Sequence, residues 1–589
     1  MTTKSPQSLA VRCLWLGLVV LPGSLITMPL KAQTIDSAQL PDSDFLPQPR
    51  LPRDTQPPSP EPPQPLPPPE DLLPPPTETP TPQTPPNNVP QTITVERFEV
   101  VGSTVFSQEQ LAEVLAPFTQ KRLSFAELLQ ARSAITQLYI EQGYITSGAY
   151  LPPQRLEGGV VRIRVVEGQL QDIQVTGIQH LSPDYVRSRI AVNTSSPLNR
   201  ERLLEALQLL QLNPLIENLS AELSAGSSPG ASVLEVRVAE ADSFNIQLVT
   251  DNLRSPSVGS FRRRFQLSEA SILKPGDSLS FEYANTDGSN AIDASYALPL
   301  NPRDGTLSFN YGTTLSNVIE PPFDTLDIES DFRYYELTLR QPLIQTPEQE
   351  FALGLTASRR ENDISSSLLE SEGFPLSELS SGASEEGRTR ISALRFFQEW
   401  TQRNRREVIA VRSQFSLGVG WLNATVNENP EPDSRFFAWR GQAQWVRLLA
   451  RDTSLLLRTN VQLSSTALVP IEQFGLGGLE SVRGYRQNLL LTDNGAFASA
   501  EVRLPIVRVS QAGVLQIAPF VDVGTTWNNS GRDAPEQNTL ASIGLGLRFS
   551  SGDRFTARLD WGIPLVSVDS RDRTWQENGL YFSVRYNPF

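Results

Sequence analysis

The 589-residue chain is nearly free of thiol, thioether and imidazole side chains, with one cysteine, two methionines and one histidine. Cys13, Met1 and Met28 all lie within the first 32 residues, so a chain that loses this segment contains no sulfur. A disulfide framework and thiol catalysis are then excluded. His180 alone cannot form a multi-histidine metal site or most histidine-based catalytic arrangements. We therefore expect no metal, no cofactor and no enzymatic activity.

Long apolar runs are also missing, because no stretch after residue 32 stays apolar for twenty residues. This excludes a helical membrane protein and leaves a β-barrel as the membrane option. The chain lacks Gly-x-Ser-x-Gly and Gly-x4-Gly-Lys-Ser/Thr, which mark one hydrolase class and the P-loop nucleotide motors. Basic residues are in deficit: residues 33–589 carry 47 basic and 65 acidic side chains, a net charge of −18. We therefore expect no nucleic-acid partner.

Residues 1–32 predict a secretory signal peptide. Lys4 and Arg12 precede the mostly apolar stretch Leu14–Leu30, and Ala32 supplies a small residue for cleavage. A transmembrane anchor is the alternative, and it is less favoured because Pro22-Gly23-Ser24 interrupts the apolar stretch.

Residues 33–92 predict a disordered linker that is rich in proline. Positions 41–90 hold 21 prolines, a composition that cannot bury a core and favours extended polyproline II. Fully extended at ~3.1 Å per residue, this segment reaches about 150 Å. A docking strip or a tether is the alternative interpretation.

Residues 93–168 and 169–241 predict two copies of one small α+β domain. Each copy has the order strand, helix, helix, strand, strand. Helix starts are marked by capping residues at Ser107, Ser124, Ser182 and Asn199. Each copy ends in a valine-rich strand that is followed by an acidic residue, Glu167 in the first and Glu240 in the second.

Residues 242–589 alternate between apolar and polar side chains with a period of two. One example is the alternation of Tyr335, Leu337 and Leu339 with Glu336, Thr338 and Arg340. Because the pattern persists to the end of the chain and its polar face carries full charges, it predicts a transmembrane antiparallel β-barrel with a wet lumen. The serine-rich, acidic stretch Glu361–Thr389 predicts one long surface loop.

Two short motifs in this region combine a fixed cation with a carboxylate on a strand. Val482-Arg483-Gly484-Tyr485 follows a glycine-rich stretch and predicts a flexible loop that ends in a cation and an aromatic ring. Phe520-Val521-Asp522-Val523-Gly524 predicts a strand with one inward-facing carboxylate. A pair between Arg483 and Asp522 in a water-filled lumen would be screened by solvent.

Together these motifs resemble those of two-partner-secretion outer-membrane transporters, the hemolysin secretion/activation family. The resemblance implies about sixteen strands, and a surface loop that folds into the pore. It implies a loop lock in the lumen formed by Val482, Arg483, Gly484, Tyr485, Phe520, Asp522 and Gly524. The terminal Tyr586-Asn587-Pro588-Phe589 implies contact with the barrel-assembly machinery, although Pro588 and Asn587 fit the usual signal imperfectly.

The tandem domains resemble paired polypeptide-transport-associated (POTRA) domains. The resemblance rests on Gly143-Tyr144-Ile145 and Leu151-Pro152-Pro153-Gln154, and it implies that Tyr144, Pro152, Pro153 and Gln154 contribute to substrate recognition. The implied protein lies in the outer membrane, surrounded by lipid, with its POTRA-like domains in the periplasm. It exports an unfolded exoprotein without nucleotide hydrolysis. Family members often carry a plug helix before the linker; residues 33–46 are short for one and contain Pro41.

Three other functions are compatible with parts of the sequence. A barrel-assembly insertase shares the Val-Arg-Gly-Tyr loop but usually carries more than two modules. A passive porin lacks a periplasmic arm, which argues against it here. A membrane-embedded protease or phospholipase needs a histidine in or near the barrel, and residues 242–589 have none.

Overall fold

The structure is a computed structural model that describes residues 72–73, 92–155, 158–428, 430–509, 513–529, 535, 537–568 and 574–588. The predicted signal peptide (1–32) and candidate plug segment (33–46) lie outside these residues, as does most of the predicted linker (33–92). Phe589, the last residue of the predicted assembly signal, also lies outside them. Among the described residues, no helix is long and apolar enough to cross a membrane.

The first module packs two helices on a small mixed sheet. Its elements are β1 (Ile93–Val95), β2 (Arg97–Val101), α1 (Gln108–Leu115), β3 (Lys121–Leu123), α2 (Phe125–Glu141), β4 (Gly148–Tyr150) and β5 (Val160–Val166). The sheet has the order β2-β5-β4, and β1 pairs separately with β3. Ser107 and Ser124 form complete capping boxes, in which the N-cap hydroxyl and the third helical side chain satisfy free amides reciprocally. The core buries Ile135, Tyr139 and Ile163.

The second module repeats this plan. Its elements are β6 (Gln169–Thr176), α3 (Pro183–Asn193), α4 (Arg200–Gln211), β7 (Ile216–Ala225) and β8 (Ala231–Glu240). The sheet has the order β6-β8-β7. Ser182 and Asn199 accept backbone hydrogen bonds at the two helix starts, as the sequence predicts. Leucines on one face of α4, including Leu203 and Leu207, are fully buried.

The acidic residue at the end of each module has the same structural task. Glu167 Oε1 accepts hydrogen bonds from the amides of Thr104 (2.7 Å) and Val105 (3.1 Å). Glu240 Oε1 accepts from the amides of Gln179 (2.9 Å) and Leu181 (2.8 Å). Burial opposes ionisation, yet these donors hold the pKa of both carboxyls below its ordinary value. Their stabilisation is therefore present at neutral pH and lost on acidification.

The barrel is closed and antiparallel, with sixteen strands. The strands from here to the C terminus are β9 (Phe244–Asp251), β10 (Arg262–Ala270), β11 (Ser278–Asn285), β12 (Ser289–Pro299), β13 (Thr306–Asn317), β14 (Ile328–Gln345), β15 (Gln349–Ser366), β16 (Arg388–Arg403), β17 (Glu407–Val419), β18 (Phe437–Ala450), β19 (Thr453–Ser464), β20 (Phe474–Leu476), β21 (Leu490–Thr492), β22 (Asn494–Val509), β23 (Gly513–Trp527), β24 (Thr539–Ser551), β25 (Phe555–Pro564) and β26 (Leu580–Tyr586). Strands β20 and β21 form a separate hairpin, and β26 pairs with β9 to close the ring. The predicted fold class, about sixteen strands after two POTRA-like modules, is confirmed.

Burial along the strands is inverted relative to a soluble protein. On β14, Leu337 and Leu339 point outward and are 48% and 47% exposed. Glu336 and Thr338 alternate with them and are buried inside the barrel. An apolar exterior and a polar interior are what a membrane-spanning barrel requires, because lipid cannot satisfy polar side chains.

The predicted surface loop Glu361–Thr389 is wrong at both ends. Strand β15 continues to Ser366, and β16 begins at Arg388. The connection is therefore 367–387, and it contains the short helix α5 (Ser367–Ser371). Polar composition suggested a loop, but the hydrogen-bonded ladder between β15 and β16 continues through these polar residues as far as Asp363↔Arg388.

The second module contacts both the barrel and the first module. Arg189 on α3 forms an ion pair with Asp304, in the turn between β12 and β13, at 2.9 Å. The guanidinium carbon of Arg189 also lies 3.6 Å from the ring centroid of Tyr185. At the other end, the amide of Arg200 donates to the carbonyl of Gly143 at 2.9 Å. The two modules are thus linked to the barrel through the second module.

Two residues of the proline-rich segment are buried in the second module. Leu72 and Leu73 are 1% and 3% exposed, and they belong to the same apolar cluster as Val186, Leu203 and Leu234. The predicted disordered linker over 33–92 is therefore wrong at these two residues. An apolar pair within a proline-rich sequence gains free energy by joining an existing core, which composition averaged over the segment cannot reveal.

Candidate functional site

The candidate site lies on the lumen loop, which we define as residues 465–493 between β19 and β22. This loop folds back against the inner wall. Its residues Phe474, Leu476, Val482 and Tyr485 form one buried cluster with Phe497 of β22 and Leu540 of β24. The loop therefore has an apolar core of its own, shared with the wall.

Arg483, at the tip of the lumen loop, is surrounded by three carboxylates from three strands. Its Nε lies 2.7 Å from Asp522 Oδ2, and its Nη2 donates to Asp522 Oδ1 at 2.8 Å. Its Nη1 donates to Glu501 Oε2 at 2.7 Å and to Asp560 Oδ1 at 3.2 Å. The side chains of Arg483 and Asp522 are 0% exposed. The expected solvent screening is therefore absent at this pair, and desolvation is offset by several charged hydrogen bonds.

The Phe-x-Asp-x-Gly motif places three consecutive inward positions of β23 beneath the lumen loop. The ring of Phe520 lies under the Arg483 guanidinium, with the guanidinium carbon 3.3 Å from the ring centroid. Asp522 pairs with the same guanidinium. A Cβ on Gly524 would lie 2.5 Å from Cδ1 of Leu476, so glycine leaves room for this loop leucine and a larger residue would require it to shift. Phe520 thus makes a cation–π contact with Arg483, Asp522 supplies its counter-charge, and Gly524 leaves room for Leu476.

The rest of the tip is fixed by the last strands of the barrel. Gly484 has a φ of +100°, a backbone conformation that favours glycine. Its amide donates to the Tyr581 hydroxyl at 3.0 Å, and that hydroxyl donates to the carbonyl of Tyr485. The hydroxyl of Tyr485 donates to the carbonyl of Ala541 at 2.8 Å. The family resemblance implies a lumen position for Tyr485, and in the structure its hydroxyl is bound by backbone carbonyls of the wall.

The tip also packs directly on a wall glycine, and this contact yields a first prediction. A Cβ on Gly562 of β25 would lie 2.6 Å from the amide nitrogen of Gly484, an overlap with backbone that no side-chain rotation relieves. We expect Gly562→Ala to weaken docking of the tip by roughly 1–3 kcal/mol. A cysteine at Leu479, which is buried in the loop, should then react faster with a maleimide.

Gly420→Ala is the control for this prediction. A Cβ at Gly420 would meet a side-chain methyl of Val426 at 3.2 Å and Cγ of Arg435 at 4.0 Å, neither of which belongs to the lumen loop. It should leave the reactivity of the Leu479 cysteine unchanged. Equal reactivity in the Gly562 and Gly420 variants would contradict the packing argument.

Sequence reasoning missed two of the three carboxylates. Glu501 on β22 and Asp560 on β25 face inward and join Asp522 around Arg483. Both are also bound to wall arginines. Glu501 lies 2.9 Å from Arg503 and 2.9 Å from Arg548, and Asp560 pairs with Arg558. The alternation along each strand could have predicted that both carboxylates point inward. Their meeting around Arg483 depends on strand order, which the alternation does not give.

Arg486, just beyond the tip, provides another contact with the wall. Its Nη2 lies 2.9 Å from Glu320, in the connection after β13. Its Nη1 lies 3.7 Å from Glu577, in the connection after β25. Arg483 and Arg486 therefore both hold the part of the lumen loop that leads back to β22.

The candidate recognition residues of the first module differ in their surroundings. Tyr144 packs beside Tyr139, with ring centroids 6.0 Å apart. Gln154 donates to the carbonyl of Arg162 at 2.8 Å and accepts from its amide at 2.7 Å, as a paired strand would. Pro152 and Pro153 lead from the short edge strand β4 to this contact. Their role in substrate recognition stays a prediction.

Within the described ranges, no group of three or more histidine, cysteine, aspartate or glutamate side chains is placed to hold a metal ion. The carboxylates around Arg483 are occupied by arginines instead. The arrangement is therefore suited to holding a chain segment in place by reversible charge pairing.

Comparison with known proteins gives consistent matches over most of the chain. The family profile described as haemolysin secretion/activation protein ShlB/FhaC/HecB matches residues 230–549, and that of the ShlB-type POTRA domain matches residues 93–168. The outer membrane transporter CdiB of Escherichia coli O6:K15:H31 (strain 536 / UPEC) is 26% identical over 495 residues, covering 81% of this chain and 79% of that protein. The heme/hemopexin transporter protein HuxB of Haemophilus influenzae (strain 86-028NP) is 22% identical over 485 residues, covering 79% and 82%.

Solved structures share the fold. CdiB from Escherichia coli superposes with a TM-score of 0.64 at 23% identity, covering 86% of this chain and 92% of that chain. CdiB from Acinetobacter baumannii has a TM-score of 0.58 at 18% identity, covering 87% and 94%.

Proposed function

The chain belongs to the haemolysin secretion/activation family and is an outer-membrane translocator with periplasmic POTRA domains, and from that premise we propose that it exports one unfolded exoprotein to the cell surface. The modules bind the exoprotein in the periplasm, and the lumen loop moves to let it pass. The predicted family and location are confirmed by these matches. The relatives are transporters rather than enzymes.

The observation that carries the proposal is the lumen loop held by ion pairs. Arg483 is bound through charged hydrogen bonds and packing, with no covalent link, so its attachment to the wall is reversible. A segment that occupies the lumen must move before a polypeptide can pass through. Because no P-loop is present in the sequence and the periplasm supplies no nucleotide, folding of the exported chain outside the cell provides the direction.

Substrate binding is assigned to the modules because they are the folded periplasmic part. Strand β4 is an edge of its sheet, paired with β5 alone within the described residues. An extended substrate segment can add to such an edge through main-chain hydrogen bonds. Beyond the end of β4, the Gln154 side chain already bonds the backbone amide and carbonyl of Arg162. The edge that is open to a substrate strand is therefore β4 itself. Tyr144, Pro152 and Pro153 border that edge in sequence.

Deletion of the gene in its native host tests the proposal. We expect one or a few large proteins to disappear from the culture medium and to return when the gene is supplied on a plasmid. Other outer-membrane barrels should keep their normal abundance. General depletion of outer-membrane barrels would instead indicate an insertase, and an unchanged medium would contradict export.

A further inference from the structure

The lumen loop has a further attachment to the barrel, in which the loop supplies the anion rather than the cation. We propose that Glu472 is a positioning residue that binds the first part of the loop, just after β19, to the wall formed by β15 and β16. The inference rests on the proposed function, because it concerns how the same loop is held and released. It assigns a role to a residue outside both motifs.

Glu472 lies in a short 3-10 turn, Pro470–Glu472, before the hairpin β20–β21. Its Oε1 is 2.7 Å from Nη2 of Arg395 and 3.0 Å from Nη1 of Arg360, and its Oε2 is 3.1 Å from Nη1 of Arg395. The carboxylate is 6% exposed, and the two guanidinium groups are similarly buried. A carboxylate removed from water to this extent is stable only with such partners.

The position of the turn is also fixed through its backbone. The side-chain amide of Gln462, on β19, donates to the carbonyl of Glu472 at 3.0 Å. Charge and backbone contacts therefore hold the same residue, which makes Glu472 a defined attachment point rather than a side chain that happens to reach the wall.

The two attachments use different strands of the ring. Arg483 contacts carboxylates on β22, β23 and β25; strands β17, β18 and β19 separate β22 from β16 in one direction, and seven strands separate β25 from β15 in the other. The loop is thus attached through Glu472 on one side of the lumen and through Arg483 on another. Displacing the whole loop requires both of these attachments and that of Arg486 to break, whereas breaking one leaves it tethered.

The wall around Glu472 carries a surplus of positive charge when the loop is absent. Arg360, Arg395 and Arg440 line the same cavity as Glu472. Within the described part of the chain, the wall carboxylate paired with them is Glu336, 3.0 Å from Arg360. When Glu472 leaves, these like charges face one another with less compensation, which raises the free energy of the released state. The cluster therefore favours return of the loop after each export event.

The test uses the full-length protein with a cysteine at Leu479 and measures its reaction with a maleimide in outer-membrane vesicles. Glu472→Gln keeps the shape and removes the charge. We expect on the order of tenfold faster labelling, since a hydrogen bond between charged groups is lost. Glu399→Gln is the matched control: Glu399 on β16 pairs with wall arginines Arg340 and Arg412 and does not touch the loop.

A charge exchange provides the second arm. Glu472→Arg and Arg395→Glu should each label fast, and the two together should label more slowly than either alone, because the pair is restored with reversed polarity. If Glu472→Gln does not form a heat-modifiable barrel, Glu472→Asp replaces it and should label at an intermediate rate.

The outcomes separate this inference from the proposed function. Wild-type labelling in Glu472→Gln, together with fast labelling in Arg483→Ala, would overturn the role of Glu472. Fast labelling in both variants with undiminished export would support the second attachment and contradict the proposal that the loop gates export.

Discussion

Arg483→Ala is expected to reduce export of the exoprotein by roughly a hundredfold while the barrel still assembles. Removing one partner of a buried charge pair costs about 3–5 kcal/mol, which corresponds to at least two orders of magnitude in an equilibrium constant. The loss falls on docking of the lumen loop, because the wall strands remain paired, and export falls because a loop that does not dock cannot return to its place after each export event. The measurements are the exoprotein in the medium and the heat-modifiable mobility of the barrel. Arg333→Ala, at a half-exposed pair with Asp331, is the control.

Asp522→Ala should have a smaller effect than Arg483→Ala. Arg483 keeps Glu501 and Asp560 when Asp522 is removed, whereas within the described residues Asp522 has Arg483 as its ion-pair partner. The double variant should secrete about as poorly as Arg483→Ala alone, since partners in one interaction are not additive. If the export defect of the double variant equals the product of the two single defects, the residues act independently.

Deletion of residues 93–167 should stop export below detection while the barrel inserts and conducts ions. The first module contains the free β4 edge, and the second module keeps its own contact with the barrel through Arg189 and Asp304. Ion conductance in planar bilayers and the exoprotein in the medium are the two measurements. Removal of residues 47–60 from the proline-rich segment is the control for shortening the periplasmic part. Normal export after loss of the module would rule out its role in recognition.

The sequence predicted the barrel and both module folds because each depends on local patterns. Alternation on β14 and capping at Ser107 and Ser124 are visible within a few residues, and the structure has them in place. The pairing of Arg483 with Glu501 and Asp560 was not predictable in this way. Their side chains meet only because strand order and register bring β22, β23 and β25 around one point.

Glu472 illustrates the same limit. Glu472 follows the apolar stretch Ala467–Ile471, and nothing in the sequence around it identifies the partners of its charge. Its partners on β15 and β16 are more than 70 residues away along the chain, as the separations of 112 and 77 residues show. These ion pairs form only once the barrel has closed. The alternation of apolar and polar residues along each strand does not predict which charges will meet.

The burial of Leu72 and Leu73 makes the second module depend on a segment that precedes the first module in the sequence. These two leucines pack in its core 20 residues before the first module begins at residue 93. Unfolding of the second module therefore exposes Leu72 and Leu73 as well, and its stability includes the apolar area that they bury. A chain that begins after residue 73 would fold this module without that contribution.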